Sequence, residues 1–214
     1  MAKKVNNTGN CELCKQNVDH REVKKHIEKC IKSETSNDFS NANQNEEIFL
    51  IKVSAHKIFW LYIEINGSSA LAKLDDFLRE TWLECCGHLS QFRINGKDYS
   101  NDSSMKKTIH QALSPSDKFD YEYDFGDTTE LEGQVISIRP GKLKKEIRLI
   151  ARNNLPEMVQ CTTCKKIPEI ICTCCYDFCC KKCKKNHTKC DGEDYMLPVV
   201  NSPRMGVCGY TGNE

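Results

Sequence analysis

Alternation of apolar and polar residues is clearest just past the middle of the chain. Over residues 119–125, Phe119, Tyr121, Tyr123 and Phe125 fall on one side of an extended backbone, and Asp120, Glu122 and Asp124 on the other. That period of two is the mark of a half-buried strand. Residues 48–53 and 57–65 are β-branched and aromatic runs that predict two paired strands. After the Asn66-Gly67 turn the period changes: Leu71, Leu74, Leu78, Trp82 and Cys85 recur at helical spacing, with Ser68 or Ser69 as cap and Gly87 as stop. Strands are predicted over 89–94, 133–139 and 146–150, and a weaker helix over 105–113 that stops before Pro115. The order ββαβ(α)βββ predicts an α+β fold for residues 47–153, a mostly antiparallel sheet roll with helices on one face.

The pattern differs at both ends. In residues 1–32, Asp19 and Glu22 have capping-box spacing, and Val23, Ile27 and Ile31 line one face of the helix that follows. Residues 33–46 are polar and rich in Asn and Ser, the composition of a flexible linker. Residues 154–214 hold a dense cysteine cluster and then a tail, apolar first and loop-like after, which is expected to pack rather than hang free. The chain therefore divides into two small end modules around a central roll.

Composition fits that division. Only 39% of the 214 residues are hydrophobic and 29% are charged, a modest core for this length. No run of about 18 apolar residues predicts a membrane span, and the first residues carry no apolar signal-peptide core. A cytoplasmic, reducing location is the expectation, where 15 clustered cysteines read as metal ligands rather than disulfides.

The chemistry lies in the cysteines. Cys11-x2-Cys14 precedes His26 and Cys30, which stand one helical turn apart, so four ligands for one zinc are at hand. His20 lies off that face. Near the other end the pairs are Cys161-x2-Cys164, Cys172-x2-Cys175, Cys179-x3-Cys183 and His187-x2-Cys190. Eight ligands suffice for two tetrahedral zinc ions, three zincs in all, and every position is filled by protein, as in structural rather than catalytic sites. The set can also shift by one to use Cys174 or Cys180.

The formal charge of +1 turns slightly acidic once zinc-bound thiols lose their protons, which argues against general affinity for nucleic acid. Residues 117–132 carry seven carboxylates against one lysine, and residues 139–152 six basic side chains against one acid. If these strands are neighbours, their charges pair across the sheet. Asp120, Asp124, Asp127 and His88 are the candidates for a cation or acid–base site. Cys85 reads as core. Cys208, between Gly206 and Gly209, is a lone thiol with no base in view.

Three stretches resemble known families. FWLYIEI, HLSQFRINGKDY and above all YEYDFGD (Tyr121 to Asp127) are similar to the plasmid ORF-3-like family, named after an open reading frame on an Ri plasmid and often described as TnpR-like transposon passengers. The resemblance spans residues 47–150 and implies a compact α/β roll rather than a reaction. This chain has Thr128 and Thr129 after the FGD run, where such proteins carry an aromatic and a histidine. Cys11, Cys14, His26 and Cys30 resemble the Cys-Cys-His-Cys fingers of ubiquitin-binding and DNA-repair proteins. The C-terminal cluster resembles cross-braced HIT-type and MYND-type fingers. That resemblance implies one zinc on Cys161, Cys164, Cys179 and Cys183, and another on Cys172, Cys175, His187 and Cys190, with a final interval shorter than is usual.

The functional expectation is a zinc-binding, non-enzymatic adaptor with a protein partner. The alternatives are a nucleic-acid-binding accessory protein of mobile elements and, further off, a metal-dependent hydrolase using the acidic strand.

Overall fold

A computed structural model describes residues 7–35, 46–100, 102–188, 190 and 195–212. In chain order the elements are β1 (Thr8–Cys11), β2 (Asn17–Asp19), α1 (Val23–Thr35), β3 (Glu47–Ala55), β4 (Phe59–Asn66), α2 (Leu71–Leu78), β5 (Ser90–Ile94), β6 (Lys97–Tyr99), α3 (Asp102–Met105), α4 (Ile109–Ala112), β7 (Lys118–Tyr123), β8 (Thr129–Pro140), β9 (Ile147–Asn153), β10 (Ile170–Cys172), β11 (Phe178–Cys179), α5 (Lys181–Lys184) and β12 (Met196–Pro198). Nine strands form one antiparallel sheet in the order β2-β1-β9-β4-β3-β8-β7-β5-β6, and β11-β10-β12 form a second, small one. The fold is α+β and mostly antiparallel.

All eight residues of β4 are buried, and the reason is that both faces of the sheet are covered there. Phe59, Leu61, Ile63 and Ile65 face one side, packing with Leu71, Leu74, Leu78 and Trp82 of the following helix. Trp60 and Tyr62 face the other, packing with Val23, Ile27 and Ile31 of α1. The N-terminal module thus extends the central sheet. β1 pairs with β9, with Gly9 opposite Asn153 and Cys11 opposite Ala151, and α1 lies over the face that the later helices leave open. Gly9 is required at this junction, because a Cβ there would collide with the Trp60 indole and the Arg152 carbonyl.

Glu64 shares Trp60's side of β4 and is fully buried. Arg139 Nε donates to it at 2.8 Å and Arg148 Nη2 at 2.6 Å, and Arg148 also reaches Glu34 on α1 at 2.7 Å. These contacts correct the expected charge pairing. β7 lies between β8 and β5, with the three strands β4, β3 and β8 separating it from β9, so Asp120 stands opposite Glu132 and Glu122 opposite Glu130. The acidic side chains face solvent with Arg93 of β5 beside Asp120, and Arg139 and Arg148 are neutralised by Glu64 instead.

Local departures from the sequence reading have local causes. Asp19 does not cap α1: its carboxylate accepts from the Arg21 amide, and the helix starts at Val23. The helix predicted over 105–113 is two short ones, and Thr108 caps the second in a capping box with Gln111. α2 loosens into a π-helical turn over Arg79–Leu83 before Gly87 adopts φ +76°. β6 pairs with β5 across Asn95-Gly96, both left-handed as a two-residue hairpin turn requires. The alternation of β7 ends early. Asp124 is left-handed at φ 66°, so Asp124 turns inward and Phe125 is left 51% exposed, the reverse of the expected facing. The predicted linker falls largely on residues 36–45, outside the described residues.

Candidate metal centres

Three Cys-x2-Cys segments fold into the same knuckle. In each, the residue four after the first cysteine is left-handed and its amide donates to that cysteine's carbonyl: Lys15 to Cys11 at 2.8 Å, Lys165 to Cys161 at 2.9 Å and Tyr176 to Cys172 at 2.7 Å. The cysteine amide in turn donates one residue further on, to the carbonyls of Gln16, Lys166 and Asp177. The tight hairpin leaves both sulfurs of each pair on one side.

Each knuckle meets a second ligand pair from elsewhere. Cys11 and Cys14 meet His26 and Cys30 of α1, with His26 Nε2 at 3.2 Å from Cys14 Sγ and 3.4 Å from Cys30 Sγ. Cys172 and Cys175 meet His187 and Cys190, with Cys175 Sγ 3.6 Å from His187 Nε2. Cys161 and Cys164 meet Cys180 and Cys183. Within each quartet the ligand atoms lie within 4.8 Å of one another. Two ligands of a tetrahedral zinc stand about 3.5–3.8 Å apart for bonds of ~2.0–2.3 Å, so these sets fit such an ion.

The third quartet corrects the expected set, in which Cys179 partnered Cys183. Cys179 lies in β11, with its sulfur 3.9 Å from His187 Nδ1, whereas Cys180 stands just before α5 and its sulfur lies 3.6 Å from Cys164 Sγ. Adjacent residues leaving a strand point to opposite sides, so only one of the two can face Cys164. The signal in the sequence was Cys180-x2-Cys183, which repeats the interval of the other pairs.

The surroundings of the thiols favour metal ligation. The amides of Cys164 and Cys180 hold the Cys161 thiol down to about 6. Burial opposes ionisation of Cys172, but the amides of Cys175 and Cys174 outweigh it and bring the thiol down to about 7. The last thiols in each set are pushed the other way. Burial and then the Cys14 sulfur raise Cys30 to about 12, and the Cys180 and Cys164 sulfurs raise Cys183 to about 12. Crowded thiols cannot all ionise unless a cation shares the site.

Of the four candidates for an acid–base site, the structure brings only Asp124 and His88 together. Asp120 stands exposed on the outer sheet face. Asp124 is buried against Arg204, whose Nη2 lies 2.6 Å from Oδ2, and it accepts from the amides of Gly126 and Asp127. Asp127 turns its carbonyl to Arg204 at 3.1 Å. His88 lies 3.4 Å from Asp124, among Cys85, Cys86 and Cys208. Arg204 was not singled out in the sequence. It is fully buried, lies over the Tyr123 ring at 4.8 Å, and brings the C-terminal loop onto the roll.

No helix among the described residues is long and apolar enough to cross a membrane. No protein-family model matches the chain, and no curated protein matches it. A solved structure of a protein of unknown function from Methanosarcina mazei Go1 is similar to it at 18% identity and a TM-score of 0.41, over 50% of this chain and 67% of that one.

Proposed function

We propose that this chain is a zinc-stabilised, non-enzymatic binding protein, in which zinc at three quartets folds the end modules and the modules present surfaces to a protein partner. One observation carries the reading: each quartet supplies four protein ligands, so a tetrahedral ion there has no position left for water or substrate. Cys11, Cys14, His26 and Cys30 would fix α1 to β1. Cys161, Cys164, Cys180 and Cys183, with Cys172, Cys175, His187 and Cys190, would cross-brace the C-terminal module, whose longest described strand has three residues. Zinc supplies the cohesion that so small a core lacks.

The side chains on that module favour a protein partner. Met158, Ile167, Tyr176 and Tyr195 are large, apolar and exposed, Ile167 at 81%. A protein partner could use such exposed apolar side chains. A nucleic-acid role in a mobile element, suggested by the resemblance of residues 47–150 to plasmid ORF-3-like proteins, would instead draw on Lys181, Lys182 and Lys185, close to thiolates that offset their charge.

Cobalt substitution tests the closed-site reading. Tetrahedral cobalt at the quartets gives sulfur-to-metal charge-transfer bands, and azide or cyanide should leave them unchanged. Bands that shift with added anion would reveal an open coordination position and overturn the reading. Tight DNA or RNA binding at physiological salt by the purified protein would favour the nucleic-acid alternative.

A further inference from the structure

Three of the cysteines outside the three quartets meet in space. Cys85 and Cys86 follow the π-helical turn, His88 comes two residues later, and Cys208 arrives from the C-terminal loop across 122 residues of sequence. We propose that Cys85, Cys86, His88 and Cys208 form a fourth zinc-type site, which clasps the C-terminal loop to the central roll.

The separations are those of ligands around one ion. Cys85 Sγ and Cys86 Sγ are 3.6 Å apart, and Cys86 Sγ and Cys208 Sγ 3.8 Å. His88 Nε2 lies 2.9 Å from Cys86 Sγ and 3.3 Å from Cys208 Sγ. A zinc tetrahedron asks for edges of about 3.8 Å between sulfurs and about 3.5 Å between sulfur and nitrogen, whereas a disulfide would ask for about 2 Å. Three thiols and one imidazole select a thiophilic ion of the zinc class over calcium or magnesium.

The first three ligands sit on a segment that is already fixed. Arg79 donates to Glu84 at 2.7 Å and to the His88 carbonyl at 2.6 Å, so it spans the segment. The Tyr123 hydroxyl donates to Glu84 at 3.1 Å and accepts from the His88 amide at 3.3 Å, while its ring meets the His88 ring edge-on at 5.7 Å. These contacts hold the imidazole with Nε2 toward the thiols, the kind of support that metal ligands receive from their surroundings.

The fourth ligand comes at a conformational cost. Cys208 is left-handed at φ 48°, between Gly206 and Gly209, which are left-handed too. A side chain in that region is disfavoured and persists where the surroundings require it. Here the conformation sends the sulfur toward His88. The rest of the loop is already seated, with Ser202 Oγ donating to the Trp82 carbonyl at 2.5 Å and Arg204 bound to Asp124. A metal at Cys208 would close the loop at its far end.

This site differs from the three module quartets. It contains no Cys-x2-Cys knuckle, joins distant parts of the chain, and keeps Cys86 and Cys208 at the surface. Binding would release the thiol protons of Cys85, Cys86 and Cys208 to solvent and form three metal–sulfur bonds and one metal–nitrogen bond.

Metal counting on the purified, reduced chain tests the proposal. Zinc measured by plasma mass spectrometry should give four equivalents for the wild type and three for Cys208→Ala or Cys86→Ala, while Cys14→Ser loses a different equivalent. Labelling supplies a second readout that needs no variant. In zinc-loaded protein, N-ethylmaleimide should modify the exposed Cys86 and Cys208 at least tenfold more slowly than after chelation. Four equivalents with slow labelling support the site. Three equivalents in the wild type, an unchanged count in Cys208→Ala, or fast labelling of both thiols in loaded protein overturns it. Three equivalents that disappear with the module ligands would leave the reading of the end modules standing, so the two can fail separately.

Discussion

Arg204 Nη2 lies 2.6 Å from Asp124 Oδ2, a bond that joins the C-terminal loop to the end of β7 across 80 residues of sequence. The Arg204 side chain is fully buried, and its second terminal nitrogen donates to the Asp127 carbonyl and to Thr129 Oγ1. The YDFGD turn is therefore occupied from within the chain. A carboxylate that looked like a catalytic candidate serves to anchor the tail.

Breaking that pair should release the loop. Arg204→Met leaves Asp124 without its cation and removes the link at the centre of the 200–210 segment. The melting temperature should fall by roughly 10 °C, and hydrogen exchange should rise first in residues 199–212. Unchanged protection of that segment would mean that other contacts hold it.

Glu64 holds two arginines and, through Arg148, the helix of the N-terminal module. Glu64→Gln should cost about 3 kcal/mol in urea unfolding, as expected for losing the charge from a buried, doubly paired carboxylate. A double-mutant cycle with Arg148→Ala should show strong coupling. Additive effects would show that the arginines find other partners.

The β7–β8 pair contains a close fit of aromatic ring to backbone. Phe119 packs over Gly133, its Cα partner, and a Cβ at 133 would overlap the ring. Gly133→Ala should destabilise by about 1–3 kcal/mol through overpacking. Combined with Phe119→Leu, the loss should be less than the sum. A neutral Gly133→Ala would show that the ring shifts freely.

Tyr62 gives the contact between α1 and the sheet an alkaline limit. Burial, and then the charge of Glu28, push its phenol up to about 12. The unfolded phenol ionises near 10. The folded state resists that ionisation, so the tyrosine's contribution is complete below pH 10 and is lost as the pH rises from there through 12. Between pH 9 and 11.5 the urea midpoint should fall further for the wild type than for Tyr62→Phe. Parallel falls would mean that Tyr62 ionises freely in the folded protein.

Removing metal should act unevenly. With zinc chelated, α1 and the C-terminal module should lose hydrogen-exchange protection, because their ligands do what a small apolar core cannot. Strands β3, β4, β7 and β8 should stay protected, since the larger core beneath them contains no cysteine of the three module quartets and, of the proposed fourth site, only Cys85 packs against it. Uniform collapse on chelation would show that roll and modules unfold as one unit.

The sequence by itself determined most elements of the roll and most of the candidate metal ligands. The period-two run at Phe119–Tyr123, the helical spacing from Leu71 to Trp82 and the Asn-Gly turns are local signals, and steric preference acts locally. The Cys-x2-Cys pairs and the i, i+4 pair His26 and Cys30 were legible for the same reason. What the tertiary structure decided is what comes together. Strand order placed β7 beside β8 and away from β9, so like charges face each other and Glu64 became the partner of Arg139 and Arg148. The short strand β11 gave the place beside Cys164 to Cys180 instead of Cys179. The fold of the tail brought Arg204 to Asp124 and Cys208 to Cys85, Cys86 and His88. Those pairings depend on which surfaces pack after the elements form, and no spacing along the chain encodes a contact across 80 or 122 residues.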